Sequence, residues 1–153
     1  MKKIIFIILI LLSFLLLNAK KMYTLKELVQ PNQIAISEDK LYAVCDASVY
    51  VFSLKRGKLI SSFGKKGEGP GEFNTNRSFD MFLNIKPLKK KLFLYTSNKF
   101  SYMNLDGKLI SEKKLAFISV NIKPISNVLA VKKYMMQGTT PQYTICLIDK
   151  SLN

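Results

Sequence analysis

Two segments of this chain, about fifty residues apart, carry the same pattern. The first runs Lys40-Leu-Tyr-Ala-Val-Cys-Asp, then Ser48-Val-Tyr-Val-Phe-Ser-Leu, then Gly57-Lys-Leu-Ile-Ser. The second runs Lys91-Leu-Phe-Leu-Tyr-Thr, then Phe100-Ser-Tyr-Met-Asn-Leu, then Gly107-Lys-Leu-Ile-Ser. Self-similarity at this period constrains the fold more than any other feature. One unit is too small to bury its own apolar face, so it must stack on the next.

Within each unit, short runs of β-branched and aromatic residues alternate with polar turns. Ile34–Ile36, Leu41–Val44, Val49–Leu54 and Lys58–Phe63 read as four strands, broken by Ser37–Lys40, Asp46–Ser48 and a tight turn at Lys55-Arg56-Gly57. The second unit repeats the order with Phe79–Ile85, a turn at Lys86–Lys90 containing Pro87, then Lys91–Thr96, Phe100–Leu105 and Lys108–Leu115, with Asp106-Gly107 as the last hairpin turn. A third unit is weaker, with strands expected at Phe117–Ile122, Leu129–Met136 and Tyr143–Ile148 and a loop at Gly138–Pro141. Four antiparallel strands joined by short turns make one propeller blade. The expected fold is therefore all-β, built of four-stranded antiparallel β-propeller blades over residues 31–63, 77–115 and an incomplete 117–153. Phe79, Met81, Phe82, Phe93, Tyr95, Tyr102 and Met103 are expected to be inter-blade core. A blade takes about 40–50 residues. Fewer than three blades fit, and the expectation is the N-terminal part of a longer, six-bladed protein or a truncated product, with self-assembly of partial rings as the alternative.

The first nineteen residues stand apart. Lys2-Lys3 precedes an apolar run, Ile4–Leu17, and Asn18-Ala19 follows. A basic start, a short apolar core and a small residue at the end make a secretory signal peptide. The run is shorter than the ~20 residues of a transmembrane helix. Cleavage after Ala19 is expected, with retention as an N-terminal anchor as the alternative. The exported domain, residues 20–153, then lies in the periplasm or outside the cell, and it meets a membrane only if the N-terminal segment stays uncleaved.

The formal net charge is +14, but all basic residues except Arg56 and Arg77 are lysines, scattered along the chain. Arginine is the residue suited to bidentate phosphate recognition. Its scarcity argues against a nucleic-acid partner. Cys45 and Cys146 fall in different units and are expected to be small buried hydrophobes rather than a disulfide.

The stretch Pro31 to Phe73 resembles a repeat of the NHL type. It has the Pro-x-x-Ile-Ala-Ile start, the Leu-Tyr-Ala-Val-Cys-Asp strand and turn, the Val-Tyr-Val-Phe strand, and a Gly-Lys-Leu strand ending in Phe63-Gly64. The following Lys66-Gly67-Glu68-Gly69-Pro70-Gly71-Glu72-Phe73 is similar to the interblade loop of exported bacterial six-bladed propellers, including the TolB-like group. The resemblance implies a six-bladed parent. It weakens after residue 115, where the second unit lacks a glycine-rich loop, and no cysteine follows the apolar run to carry a lipid.

The glycine loop does not read as a nucleotide site. Such loops open a helix whose N–H groups meet the phosphate, and Asn74-Thr-Asn-Arg-Ser leads instead into a β-type run. Glu68 and Glu72 read as solvated loop residues. Histidine is absent, which removes the commonest general base and metal ligand. No catalytic residue, cofactor or metal ligand is assigned. The expected function is a non-catalytic binding scaffold for a protein, peptide or glycan. The alternative is a fragment of a propeller hydrolase or lyase whose catalytic residues lie in other blades. Loops on a rigid scaffold carry binding residues. The interblade loop and the turns between second and third strands share one face, which gathers Lys65, Lys66, Glu68, Arg77, Asp46, Ser48, Asn98 and Lys99. That face is expected to be basic and to suit an acidic ligand, and the hairpins at Gly57 and Gly107 to serve tight turning alone.

Expressed in a bacterium with its own N-terminus, the chain should leave the cytoplasm, and N-terminal sequencing should begin near Lys20. Recovery of the intact chain from the cytoplasm would refute the export reading.

Overall fold

The computed structural model describes residues 22–28, 30–76, 82–125 and 128–149. The expectations for the N-terminal apolar run, Arg77, Phe79 and Met81 lie outside the described residues. Among those described there is no helix, and eleven strands form three antiparallel sheets.

The first sheet has the order β1 (Gln33–Ser37), β2 (Lys40–Cys45), β3 (Ser48–Ser53), β4 (Leu59–Phe63). The second has β5 (Asn84–Leu88), β6 (Lys91–Tyr95), β7 (Lys99–Asn104), β8 (Leu109–Lys114) in the same order. Both are four-stranded meanders, the architecture of a propeller blade. The third is three-stranded, with β10 (Val128–Gln137) between β9 (Ser119–Ile125) and β11 (Thr140–Asp149). The internal repeat extends to an irregularity of pairing. The register of β3 against β4 shifts between Val51 and Phe52, and that of β7 against β8 shifts between Tyr102 and Met103. These are corresponding residues of the two blades.

Several strands differ from the sequence-based expectation. The second sheet's first described strand is β5, so Pro87, expected in a turn, pairs with Leu92 inside a strand. β5 lies at the sheet's edge and pairs on one side only, where a missing N–H costs no ladder bond. Pro141, expected in a loop, is likewise tolerated on edge strand β11, opposite Met136. The turn there is confined to Gly138-Thr139. Cys45 and Cys146 form no disulfide, and both are half-buried rather than buried.

The sheets stack face to face on two apolar layers. Tyr42, Val44, Val49 and Val51 of the first sheet meet Ile85, Leu92, Leu94 and Met103 of the second, with Phe73 and Leu83 between them. Phe93, Phe100 and Tyr102, on the other side of the second sheet, meet Ile122, Leu129 and Val131 of the third. Alternation along each strand sends successive side chains to opposite faces, so the middle blade supplies both layers. Of the expected core residues, Phe93, Tyr102 and Met103 are buried, and Tyr95 packs half-buried against the second layer.

Polar contacts also join the first two blades. The Gln33 side chain donates from Nε2 to the Ile85 carbonyl at 3.1 Å and accepts the Ile85 N–H at 2.9 Å. The Tyr42 hydroxyl donates to the Leu105 carbonyl at 3.0 Å. Burial, with a smaller contribution from the Asp106 charge, pushes that hydroxyl's pKa up to about 12, so it remains a donor. Lys40 Nζ pairs with Asp106 at 2.8 Å.

A second repeated contact involves the hairpin glycines. Gly57 and Gly107 have φ values of 63° and 86°. A Cβ at Gly107 would lie 2.1 Å from the Phe63 ring, and one at Gly57 would lie 2.1 Å from the Tyr23 ring. Each of these two hairpins thus receives an aromatic ring close against its glycine. Gly107→Ala should destabilise the protein more than Gly138→Ala, because Gly138, with φ 61°, has nothing within 4 Å of its would-be Cβ. The Gly138 change carries the positive-φ strain alone, about 1 kcal/mol. The Gly107 change adds a displaced ring. Equal midpoints in urea unfolding would show that the ring contact contributes nothing.

Candidate functional site: the interblade loop

The chain leaves β4 at Gly64 and crosses to the second blade through a loop ending at Asn76. Four glycines among residues 64–71 let it bend sharply, and three of them have positive φ in the left-handed range. It is tied to itself first. Phe73 N–H donates to the Lys65 carbonyl at 2.9 Å, and Gly67 N–H donates to the Phe73 carbonyl at 3.3 Å. The Glu72 carboxylate accepts the Gly69 N–H at 3.0 Å and pairs with Lys65 at 2.9 Å. A Cβ at Gly67 would meet the movable end of the Glu72 side chain, and the residue's φ of 157° is what favours glycine there. Phe73, fully buried, plugs the loop into the first apolar layer.

Ties to the blades follow. Ser48 Oγ donates to the Gly64 carbonyl at 3.3 Å, and Thr75 Oγ1 donates to Asp46 Oδ1 at 2.5 Å. Lys99 Nζ donates to the Gly69 carbonyl at 2.8 Å and pairs with Glu112 at 3.2 Å. Glu112 also accepts the Gly71 N–H at 3.0 Å and the Ser101 hydroxyl at 3.4 Å. Further out, Glu68 accepts from Asn74 at 2.7 Å and pairs with Lys114 at 3.4 Å.

These contacts revise the expected roles. Asp46, Ser48, Lys65, Glu68 and Lys99 all bond to the loop or belong to it. Asn98 belongs to the neighbouring turn, where its carbonyl accepts the Leu115 N–H at 2.7 Å. Arg77 lies outside the described residues. Lys99 was expected to offer charge at the surface, but its side chain is 4% exposed. A buried ammonium must be paired and hydrogen-bonded, and Glu112 with the Gly69 carbonyl does both. Glu68 and Glu72 are not merely solvated. Hydrogen bonds from Asn74 and Lys114 hold the Glu68 carboxyl below the usual range, and Lys65 with the Gly69 N–H does the same for Glu72. The Glu72 hydrogen bond in turn raises the pKa of Lys65. Lys66 is exposed, and the ion-paired Lys65 and Lys114 are also largely solvent-facing.

Sequence reasoning missed Glu112. The available signal was an acidic residue opposite Ser101 on β8, in register to share a side of the sheet with it. Among the described residues no group of three or more His, Cys, Asp or Glu side chains is placed to hold a metal ion. The opposite ends of the strands are less plain than expected. A cleft of about 510 Å³ beside the Gly57 hairpin is lined by Asp39, Ser53, Lys55, Arg56, Lys58, Leu59 and Ile60.

Replacing Lys99 by Met strands the Glu112 charge and should destabilise the protein by about 3 kcal/mol, the cost of breaking a buried pair. Lys99→Met with Glu112→Leu should recover part of that loss in denaturant unfolding. Additive losses from the two changes would mean that the pair is not coupled.

The chain resembles BamB from Moraxella catarrhalis at 13% identity, with a TM-score of 0.33, over 65% of this chain and 39% of BamB. The chain thus spans well under half the length of that protein. No curated protein matches the chain. The DUF5128 family, described as a 6-bladed beta-propeller, matches residues 2–144. The match covers most of the chain and takes in both four-stranded meanders, and the chain belongs to this family of six-bladed β-propellers.

Proposed function

We propose that this chain is part of an exported propeller of the NHL or TolB-like kind, and that it binds an acidic protein, peptide or glycan without acting chemically on it. The observation that carries this reading is the pinned loop. Its backbone is fixed by the Lys99–Glu112 pair and the buried Phe73, while Lys66 and much of Lys65 and Lys114 stay in solvent. A rigid support presenting cationic side chains loses little conformational entropy on binding, since the backbone is already ordered. The lysine-rich composition favours diffuse attraction to carboxylates and sulfates over bidentate phosphate reading.

The full chain can be titrated with acidic peptides and sulfated glycans across a salt series. Lys65→Ser with Lys66→Ser should weaken binding about tenfold and flatten its salt dependence. Lys55→Ser with Arg56→Ser, in the cleft by the Gly57 hairpin, should leave both unchanged. The reverse pattern would assign binding to that cleft and overturn this reading.

A further inference from the structure

The two ends of the strands differ in charge balance. At the loop end, Lys65, Lys99 and Lys114 are ion-paired with Glu72, Glu112 and Glu68. At the opposite end, the hairpin tips carry Lys55, Arg56 and Lys58 on the first blade and Lys89, Lys90 and Lys108 on the second. All six are exposed, and among the described residues none of them is in an ion pair. Lys40 does pair with Asp106 at this end, at 2.8 Å. The other carboxylates here, Glu27, Glu38, Asp39 and Asp149, are outnumbered by the cations.

Contacts join these tips into one surface. The Leu54 N–H donates to the Asp39 carbonyl at 2.9 Å, and Lys40 reaches across to the second blade's last hairpin. Lys91, just after the Lys89-Lys90 turn, pairs with Asn104, whose N–H donates to the Lys108 carbonyl at 2.9 Å. Apolar side chains stand among the cations, with Met22 94% exposed and Leu54 39%. Propeller blades pack through the faces of their sheets. Any further blade therefore brings its own tips to this end without covering these.

The sequence upstream also leads here. The Tyr23 ring lies against Gly57, and its hydroxyl donates to the Lys55 carbonyl at 2.7 Å. Leu17, the end of the apolar run, is six residues earlier, a reach of at most about 22 Å along the chain.

We propose that the hairpin end docks on an anionic lipid bilayer through its phosphate headgroups. The cations are distributed over three hairpin tips on two blades, and attraction to a charged bilayer depends on their number rather than on convergence. Met22 and Leu54 supply apolar contact at the headgroup boundary. An apolar run that is retained holds this end at the bilayer. Cleavage after Ala19 leaves Lys20, Lys21 and a new amino group close to the same tips. The end therefore meets a bilayer with either N-terminus, which revises the expectation that contact requires the uncleaved segment. The interblade loop then faces away from the membrane, open to soluble ligands.

The test is co-flotation of the exported chain, with the N-terminus it carries, on phosphatidylcholine vesicles with and without about one third phosphatidylglycerol. Binding to the anionic vesicles should be stronger by about a hundredfold, and high salt should remove the difference. Each cation at the surface changes partition about fivefold, so Lys55→Ser with Arg56→Ser and Lys58→Ser should remove most of the preference. Glu27→Lys should raise anionic binding about tenfold or more, which keeps the proposal testable should the triple variant fold poorly. Lys65→Ser with Lys66→Ser should change it less than about twofold, because strands of five or six residues set the loop end about two Debye lengths away. Equal binding to both vesicles would overturn the proposal. So would equal losses from the tip and loop variants, which would make net charge responsible rather than this end. Soluble acidic ligands are read through Lys65 and Lys66 and vesicles through the tips, so either proposal can fail without the other.

Discussion

The middle sheet is apolar on both sides. Leu92, Leu94 and Met103 face the first sheet, and Phe93, Phe100 and Tyr102 face the third. Full burial of side chains of this size contributes about 1.5–3 kcal/mol each. A single four-stranded sheet cannot collect that contribution, since at most one of its faces could be screened by its own turns. Stacking is thus the condition for folding here rather than a later elaboration. Other features follow from it: the aromatic rings against the Gly57 and Gly107 hairpins, and a loop that must carry the chain across a buried seam.

The loop shows how that crossing is achieved with polar chemistry. A chain passing between blades brings unpaired N–H and C=O groups next to an apolar layer, where an unsatisfied group costs about 1–3 kcal/mol. Glu72, Glu112 and Lys99 meet the amides of Gly69 and Gly71 and the carbonyl of Gly69. Part of the basic excess is also used on aromatic surfaces. Lys91 sits 4.0 Å over the Tyr102 ring, and Lys132 sits 4.2 Å over that of Tyr143. Such lysines cover apolar surface with their stems while the ammonium stays near water.

The blade repeat was legible because it rests on local signals. Short, largely apolar runs mark β2, β3, β6 and β7, and glycine marks the hairpins at Gly57 and Gly107. The strand bounds shifted where the local signal conflicts with position in the sheet: Pro87 and Pro141 suggest turns, and only the sheet order reveals that they lie on edges. The site was less legible. Lys65, Glu68 and Asp46 were assigned to one face by counting strands; in the structure Asp46 accepts from Thr75 of the loop to which Lys65 and Glu68 belong. That Lys99 is buried depends on Glu112 and Gly69, which lie 13 and 30 residues away in sequence. Nothing in the run Asn98-Lys99-Phe100 distinguishes it from an exposed lysine beside a turn.

Gln33 joins two blades by grasping backbone. Its amide reads the N–H and C=O of residue 85 and makes no demand on the side chain there. A joint of this kind is indifferent to the composition of the strand it holds, provided that strand stays extended. Duplicated blades could then drift apart in sequence without losing their alignment. This offers a mechanical reason why the inner strands Gln-Ile-Ala-Ile-Ser and Asn-Ile-Lys-Pro-Leu share so few residues, while the hairpins behind them still end in the same Gly-Lys-Leu-Ile-Ser.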